Sequence, residues 1–434
     1  MATNIIKGKI ISNVKWIMLE KIFRMGTNLL ISVWIARYLG PTLFGELNFV
    51  QAYLSILIII AGLGLDGIVV RNLVKFPKEN YKIIATTFWL KLASGLVLFI
   101  GTLVINLYNQ TNLNSFLLSL MLSTSLIFQS ISVIDFWLQS KTKSKVTSIL
   151  ALCSFSISSI LKIFAILTEQ KLWVFGLVFS LETLFLAIGF IFYIYKVRKI
   201  KFPVFDINIA KSLMRDSWPL MISNFAVIIY MKIDQLMIGQ MLGLEKVGIY
   251  STAVKLAEMW YFIPMAIITS TFPTLIEIKI QSTDKYYEKL QNLYDLMSLL
   301  GYLAIVPVVL GADYLITVLY GEKYREAATI LILYIWAGIF VNLGSARSSH
   351  LKIINDTRFH LVASVLGCVI NILLNFILIP KFGMLGATYS TLISYWIQAH
   401  LSCYLYPKMY KTGNMITLSV LLPFRIFSVM KKLK

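Results

Sequence analysis

The sequence predicts an all-α polytopic membrane protein of about twelve transmembrane helices in two six-helix lobes. Hydrophobic residues make up 58% of the 434 residues, charged residues make up 14%, and the mean hydropathy is +0.78. A soluble domain carries about 25% charged residues and could not bury this much apolar side chain. Apolar runs of spanning length recur along the chain, and basic residues are dense in alternate connections between them. Together these observations exclude a soluble fold.

Twelve apolar segments approach the length of about 20 residues that a membrane-spanning helix needs. Pro264 is expected to kink the eighth of them. No small-residue cleavage site precedes or follows the first segment, so we do not expect a cleaved signal peptide. By hydropathy and helix breakers, the spans are predicted at residues 16–36, 47–68, 83–105, 115–138, 146–167, 172–195, 218–240, 248–271, 294–318, 328–346, 360–379 and 384–406.

The distribution of Lys and Arg predicts the orientation in the membrane. With the N-terminus inside, the inner segments hold 28 of the 40 Lys and Arg residues, the outer segments hold 6 and the spans hold 6. Cytoplasmic loops of membrane proteins carry such an excess of positive charge. Both termini are therefore predicted to be cytoplasmic, and Lys431, Lys432 and Lys434 are counted in the inner C-terminal segment.

The longest inner connection divides the predicted spans into two groups of six. It predicts an N-terminal lobe at 1–195, a basic cytoplasmic linker at 196–217 and a C-terminal lobe at 218–406. The segment 407–434 is a basic cytoplasmic tail, which we expect to lie on the inner membrane surface as an amphipathic helix.

A weak internal repeat relates the two predicted lobes. Leu39-Gly40 and Gly45 recur at an offset of 203 as Leu242-Gly243 and Gly248, after the first span of each half. An even number of spans in each half gives the two halves the same orientation. This arrangement favours a cavity between the lobes and alternating access. The alternative is that short glycine-containing turns recur in any polytopic protein.

Charged residues inside the spans are candidate functional groups, because a charge at bilayer depth costs about 2.5–3.5 kcal/mol. Lys21, Arg24 and Asn28 share one helix face, since their spacing is i, i+3, i+7. They lie about 8–18 Å from the predicted cytoplasmic end of span one. The planar guanidinium of Arg24 suits phosphate oxygens. The alternative is that Arg24 simply pairs with Glu20, one turn away.

Spans seven and eight add further candidates. Lys232 and Gln235 lie near one face of span seven, where they could receive an anionic substrate, whereas Asp234 points elsewhere. Asp234 could neutralise a cation of another span, or bind a coupling ion or a proton. Lys255 and Glu258 are spaced i, i+3, which favours an internal ion pair, and Glu258 is the second candidate for ion coupling.

Two in-span lysines have no opposite charge nearby in the sequence. Lys91 lies at a shallow depth, where we expect it to contact an anionic substrate. Lys162 lies near the outer end of span five, where we expect it to extend to water. Glu182 is the alternative partner for Lys162.

Stretches in order along the chain carry a family resemblance. They are Ala36-Arg37-Tyr38-Leu39-Gly40-Pro41 with Phe44-Gly45, Asp234-Gln235-Leu236-Met237-Ile238-Gly239 with Gly248-Ile249-Tyr250, Leu319-Tyr320-Gly321, and Asn371 and Asn375 with Ile379-Pro380. This set resembles the signatures of Wzx-type O-antigen and capsular polysaccharide flippases, within the multidrug/oligosaccharidyl-lipid/polysaccharide exporter (MOP) superfamily. The resemblance implies a two-lobed fold similar to that of the multidrug and toxin extrusion transporters.

The resemblance also implies a function. It implies translocation of polyprenyl-pyrophosphate-linked oligosaccharide from the inner to the outer leaflet of the bacterial cytoplasmic membrane, for O-antigen, capsule or another surface polysaccharide. The partners would be membrane lipid, a polysaccharide polymerase and a chain-length regulator, with no nucleic acid. We expect no enzymatic activity and no cofactor. The candidate substrate-binding residues are Lys21, Arg24, Asn28, Lys91, Lys232 and Gln235.

Two other functions are less favoured. A drug or organic-cation antiporter of the same superfamily would have an acidic cavity; the numbers of basic and acidic in-span residues are too close to decide, but the polar-face positions of Lys21, Arg24 and Lys232 favour an anion. A membrane-embedded glycosyltransferase, polymerase or ligase usually has a large outer loop, which the sequence lacks. The three cysteines and three histidines show no metal-site spacing.

Overall fold

A computed structural model describes residues 2–108, 112–197 and 205–425. Within these residues, the regular secondary structure consists of α-helices and short 3₁₀ helices. Part of the predicted linker (198–204) and the end of the predicted tail (426–434, with Lys431, Lys432 and Lys434) lie outside the described residues.

The chain divides into two compact units, Met1–Ile228 and Ile229–Lys434. The division falls inside a continuous helix, C-terminal to the basic linker predicted at 196–217. The helices that begin in the first unit are α1 (Ala2–Gly62), α2 (Asp66–Lys75), α3 (Asn80–Tyr108), α4 (Leu113–Ser123), α5 (Ser125–Phe128), α6 (Val133–Ser140), α7 (Ser144–Leu167), α8 (Leu172–Val197) and α9 (Ile207–Leu242), which continues into the second.

The second unit holds the rest of α9 and eight further helices. Short 3₁₀ segments join several of them, including Met259–Tyr261 and Leu401–Leu405. The helices are α10 (Leu244–Glu258), α11 (Phe262–Gln281), α12 (Thr283–Tyr320), α13 (Ala327–Tyr334), α14 (Ala337–Ile353), α15 (Thr357–Phe382), α16 (Met384–Ala399) and α17 (Tyr410–Val420).

The described residues contain ten helical runs that are long and apolar enough to cross a membrane. The first two predicted spans lie in one such run, Trp16–Lys75, because α1 continues past its break at Gly40. The twelfth predicted span coincides with α16, whose 16 residues are short for a span. The all-helical membrane fold is therefore confirmed, and the number twelve stays a prediction.

Backbone geometry supports the internal repeat. Gly40 has φ 72° and ψ 173°, and Gly243, at the offset of 203, has φ 93° and ψ 167°. Such positive φ values are accessible to glycine at little cost, because it has no Cβ. Pro41 follows Gly40 and lacks the N–H that a continuous helix would use there. The same sharp turn is thus built at the same place in each half.

The interruption near Pro264 lies slightly before the proline. The 3₁₀ segment Met259–Tyr261 separates α10 from α11, and Pro264 occupies the first turn of α11. Proline is tolerated in a first turn because the N–H groups there have no intrahelical acceptor.

In the first unit, α7 packs between α1 and α8, while α3 packs against α1 and the α5 segment. The close approach of α3 to α5 depends on Gly95, where an added Cβ would overlap the backbone carbonyl of Leu126. In the second unit, α15 and α16 form the most extensive helix pair. Their close approach depends in the same way on Gly386, where an added Cβ would overlap the backbone of Leu378.

We expect Gly95→Ala to destabilise the protein by about 1–3 kcal/mol, because the backbone of Leu126 cannot move away as a side chain could. Gly101→Ala is the matched control in the same helix, because an added Cβ there meets nothing within 4 Å. The control should be neutral or stabilising by about 0.5–1 kcal/mol. Thermal unfolding of both purified variants measures the difference; equal melting temperatures would contradict the packing described for α3 and α5.

Candidate functional site

The first unit contains a cavity of about 560 Å³ between α1, α7 and α8. Its position on α1 coincides with the helix face predicted to bind an anion. The lining residues that carry charge are Glu20, Lys21, Arg24, Lys162 and Glu182, and the polar and aromatic part of the wall is completed by Asn28, Thr183, Phe155 and Phe179.

Glu182 on α8 connects two cations through its two carboxylate oxygens. Arg24 Nη2 donates to Oε1 at 2.6 Å, and Lys162 Nζ donates to Oε2 at 3.3 Å. Ser158 Oγ also donates to Oε2 at 3.2 Å. A single carboxylate therefore fixes the positions of groups from α1 and α7, which no sequence spacing could indicate.

Lys162 does not extend to water, so that prediction was wrong. Its side chain is 2% exposed, and its ammonium lies 3.9 Å from the centroid of the Phe179 ring. The alternative partner, Glu182, is confirmed. The physical reason is that α8 supplies both a carboxylate and an aromatic face, so the charge is compensated inside the helix bundle.

Arg24 forms the ion pair with Glu20 that was expected as the alternative to substrate binding, at 3.3 Å. It also lies over the Phe155 ring at 5.2 Å. Even with two carboxylate partners, the Arg24 side chain is 40% exposed. The pairing therefore holds the guanidinium in place without removing it from the cavity surface.

Lys21 and Asn28 are exposed on the same wall. Among the described residues, Lys21 forms no ion pair. Three cations and two carboxylates line the cavity, so its charge excess is positive. This is the electrostatic character that an anionic head group requires.

Lys91 lies elsewhere in the first unit and does not line this cavity. Its ammonium donates to Ser132 Oγ at 2.7 Å, lies 4.0 Å from Asp66 Oδ1, and contacts the Phe136 ring at 4.9 Å. Its side chain is buried. A contact between Lys91 and substrate stays a prediction, and it would require the ammonium to leave these partners.

The second unit holds a buried carboxylate, Asp234, with neutral donors around it. Tyr250 Oη donates to Oδ2 at 3.0 Å, Asn375 Nδ2 donates to Oδ1 at 2.6 Å, and the Thr391 hydroxyl donates to Oδ2. Among the described residues, no cation pairs with Asp234. Within the described residues, Asp234 therefore does not neutralise a cation of another span.

The network continues through α15 and α16. Asn375 also donates to Asn371 Oδ1 at 3.2 Å, and Asn371 donates to Ser394 Oγ at 3.3 Å. Asn375 Oδ1 is buried without a hydrogen-bond partner. The residues from the family signature thus converge on Asp234. Sequence reasoning missed Thr391, because nothing in an apolar helix distinguishes one threonine before its distant partner is known.

The remaining candidate residues of the second unit differ in their surroundings. Lys232 is half-buried. Gln235, which follows Asp234 in the sequence, is buried. Glu258 ends α10, and its Oε1 is buried without a hydrogen-bond partner, as is the Tyr261 hydroxyl. The substrate contacts of Lys232 and Gln235, and the Lys255–Glu258 pair, stay predictions.

The predicted span at 328–346 ends before Arg347 and so places this residue in an inner connection, which is wrong. Helix α14 continues to Ile353, so Arg347 lies about 9 Å inside its C-terminal end. Its side chain is fully buried. Hydropathy ended the span at 346 because the following residues are polar, whereas the helix continues through them.

Comparisons with known proteins agree with this architecture. A family model described as polysaccharide biosynthesis protein matches residues 10–279, more than half of the 434-residue chain. The probable flippase AglR of Haloferax volcanii is 28% identical over 200 residues, a match that covers 44% of this chain and 41% of that protein. The chain thus spans about two fifths of the length of this curated relative.

Two solved structures are similar over nearly the whole chain. The lipid II flippase MurJ superposes with a TM-score of 0.75 at 16% identity, covering 95% of this chain and 92% of that one. A multidrug resistance MATE family transporter of the MOP superfamily gives a TM-score of 0.73 at 14% identity, covering 90% and 95%. These likenesses confirm the predicted fold. The chain therefore belongs to the polysaccharide biosynthesis protein family, and its predicted resemblance to the Wzx-type flippases is confirmed.

Proposed function

We propose that this membrane protein is a flippase for polyprenyl-pyrophosphate-linked oligosaccharide, working by alternating access in the cytoplasmic membrane. The observation that carries the proposal is the positively charged cavity of the first unit, with the exposed cations Lys21 and Arg24 on its wall. Both termini would be cytoplasmic, as the excess of basic residues in the inner segments indicates. The protein would act as a transporter, with a polysaccharide polymerase and a chain-length regulator as partners in surface polysaccharide synthesis.

The cavity suits a pyrophosphate because one of its exposed cations, Lys21, has no ion-pair partner among the described residues, while the other, Arg24, is held in position by carboxylates. Lys21 has no ion-pair partner among the described residues, so binding an anion there displaces only water. Arg24 is pre-positioned by Glu20 and Glu182, which lowers the entropy lost when its guanidinium binds an oxyanion. The same two carboxylates compete with the substrate for Arg24. This competition keeps the complex weak enough for release.

Asp234 is the proposed site of ion coupling. Oxygen atoms of Asp234, Asn371 and Asn375 lie together, and Asn375 Oδ1 has no donor. A buried carboxylate without a cationic partner is stabilised when it binds a proton or a small hard cation, for which oxygen ligands are preferred. Glu258, whose Oε1 is also buried without a partner, is the second candidate.

The overall function is tested by depleting the protein in its native host and analysing the lipid extract. We expect polyprenyl-pyrophosphate oligosaccharide to accumulate on the cytoplasmic side while surface polysaccharide is lost. Unchanged lipid intermediates together with a new sensitivity to toxic organic cations would contradict the proposal. That result would instead indicate a drug exporter of the same superfamily.

Lys21→Gln should lower the translocation rate of the reconstituted protein about tenfold or more, since a charge-assisted hydrogen bond contributes about 1.5–3 kcal/mol. The melting temperature should not change, because the side chain is exposed and unpaired among the described residues. Lys78→Gln is the control, an exposed lysine of the same unit outside the cavity. Proteoliposomes loaded with labelled lipid-linked oligosaccharide give the rate. Equal rates for the two variants would remove Lys21 from the site.

Asp234→Asn should abolish the part of transport that depends on an imposed pH or sodium gradient, because an amide neither carries the charge nor binds the proton. Downhill exchange of substrate between leaflets should persist. Tyr250→Phe is the matched control, since it removes one donor to Asp234 and leaves the carboxylate. Transport by proteoliposomes under each gradient measures the effect. A gradient response in Asp234→Asn equal to that of the unmodified protein would show that coupling occurs elsewhere.

A further inference from the structure

Arg347 on α14 is a buried cation whose charge no described residue neutralises. Its Nη1 donates to Ser402 Oγ at 2.8 Å and lies 3.5 Å from Cys403 Sγ, and the guanidinium carbon lies 5.2 Å from the centroid of the Phe359 ring. Nε and Nη2 are buried and have no hydrogen-bond partner within the described part of the chain. In the part of the chain that the structure describes, no carboxylate forms an ion pair with it.

The surroundings of Arg347 hold further polar atoms without partners. Tyr294 lies on α12, which packs against α14, and His360 follows Phe359, whose ring Arg347 contacts. The Tyr294 hydroxyl and His360 Nδ1 are buried and have no hydrogen-bond partner.

An uncompensated guanidinium at this position is energetically costly. Removing a charge from water costs several kcal/mol even after relaxation, unless an opposite charge or good hydrogen bonds replace the water. The cation–π contact and the hydrogen bond to a neutral hydroxyl offset only a small part of this cost. Arginine does not lose its proton in proteins, so it cannot escape the cost by becoming neutral. An anion from outside the described residues would supply the missing compensation.

We propose that Arg347 binds a small inorganic anion, with chloride as the ordinary occupant, at a site formed with Tyr294 and His360 between α12, α14 and α15. The anion supplies the missing negative charge and accepts hydrogen bonds from Arg347 Nε and Nη2, Tyr294 Oη and His360 Nδ1–H.

A monatomic anion fits this place better than a phosphate or a lipid head group does. Arg347 and Tyr294 are fully buried, so a bulky ligand has no access to the guanidinium. A spherical anion accepts hydrogen bonds from several directions and needs no donated hydrogen bond in return. The site differs from the proposed substrate cavity, which lies in the first unit and has exposed cations.

The test is the halide dependence of thermal stability, measured on the purified full chain at constant ionic strength. Chloride or bromide replaces gluconate stepwise. Because a ligand that binds only the folded state stabilises it, we expect a saturable rise of the melting temperature by a few degrees. Arg347→Met should lose this rise. Arg71→Met should keep it, because Arg71 is an exposed arginine paired with Asp216.

A direct measurement does not depend on any variant. Crystals grown in sodium bromide should show an anomalous scattering peak beside Arg347 Nε and Nη2. Inorganic phosphate at the same concentration should not reproduce the thermal shift. If Arg347→Met fails to fold, the bromide peak and a weakened halide response of Tyr294→Phe decide the question.

The proposal would be overturned by the absence of a halide-dependent shift, by an equal shift in Arg347→Met, or by bromide crystals without a peak at Arg347. A stronger effect of phosphate would also overturn it, since the site would then take an oxyanion. None of these measurements uses transport, so failure of the anion site is distinguishable from failure of the flippase function.

Discussion

The energetic cost of charge inside the membrane is the constraint on which the rest of this structure depends. The protein meets this constraint in three ways. Lys162 shares one carboxylate, Glu182, with Arg24. Asp234 is surrounded by neutral donors. Arg347 is left with two buried nitrogens that lack any partner. Fully paired charges serve packing, whereas incompletely compensated charges retain affinity for something that is not part of the chain. The degree of compensation, together with the exposure of the side chain, thus separates a structural charge such as Lys162 from the candidate sites.

Arg24 shows why pairing and binding are compatible. Its two carboxylate partners leave 40% of the side chain exposed, so the guanidinium is oriented yet accessible. An isolated long side chain would lose rotamer freedom on binding, at a cost of up to about 2 kcal/mol. Here the protein has already ordered the side chain through Glu20 and Glu182. The sequence alternatives of substrate contact and internal ion pair are therefore compatible, because the ion pairs leave the guanidinium accessible to a ligand.

The sequence predicted the features that depend on local composition, and it missed those that depend on tertiary contact. Hydropathy and basic residues were enough for the helical membrane fold, and helical spacing placed Lys21, Arg24 and Asn28 on one wall. The partner of Asp234, Thr391, lies 157 residues away. Lys162 was expected to reach water because it lies near the predicted outer end of span five and has no opposite charge nearby in the sequence, yet its carboxylate comes from the next helix. Arg347 was misplaced because polarity ended the predicted span before the helix ends.

The repeat explains how one fold could accommodate two kinds of site. Gly40 and Gly243 build the same turn, so the offset of 203 relates equivalent positions of the first helix in each half. The counterparts of Lys21 and Arg24 are then Asn224 and Val227, and the counterpart of Asp234 is Ile31. Each half therefore carries charge where the other does not, although the backbone turn is the same. Exposed cations belong to one unit and a buried carboxylate to the other. Because these groups lie at non-equivalent positions, substrate binding and ion coupling could change independently without altering the turn that both halves share.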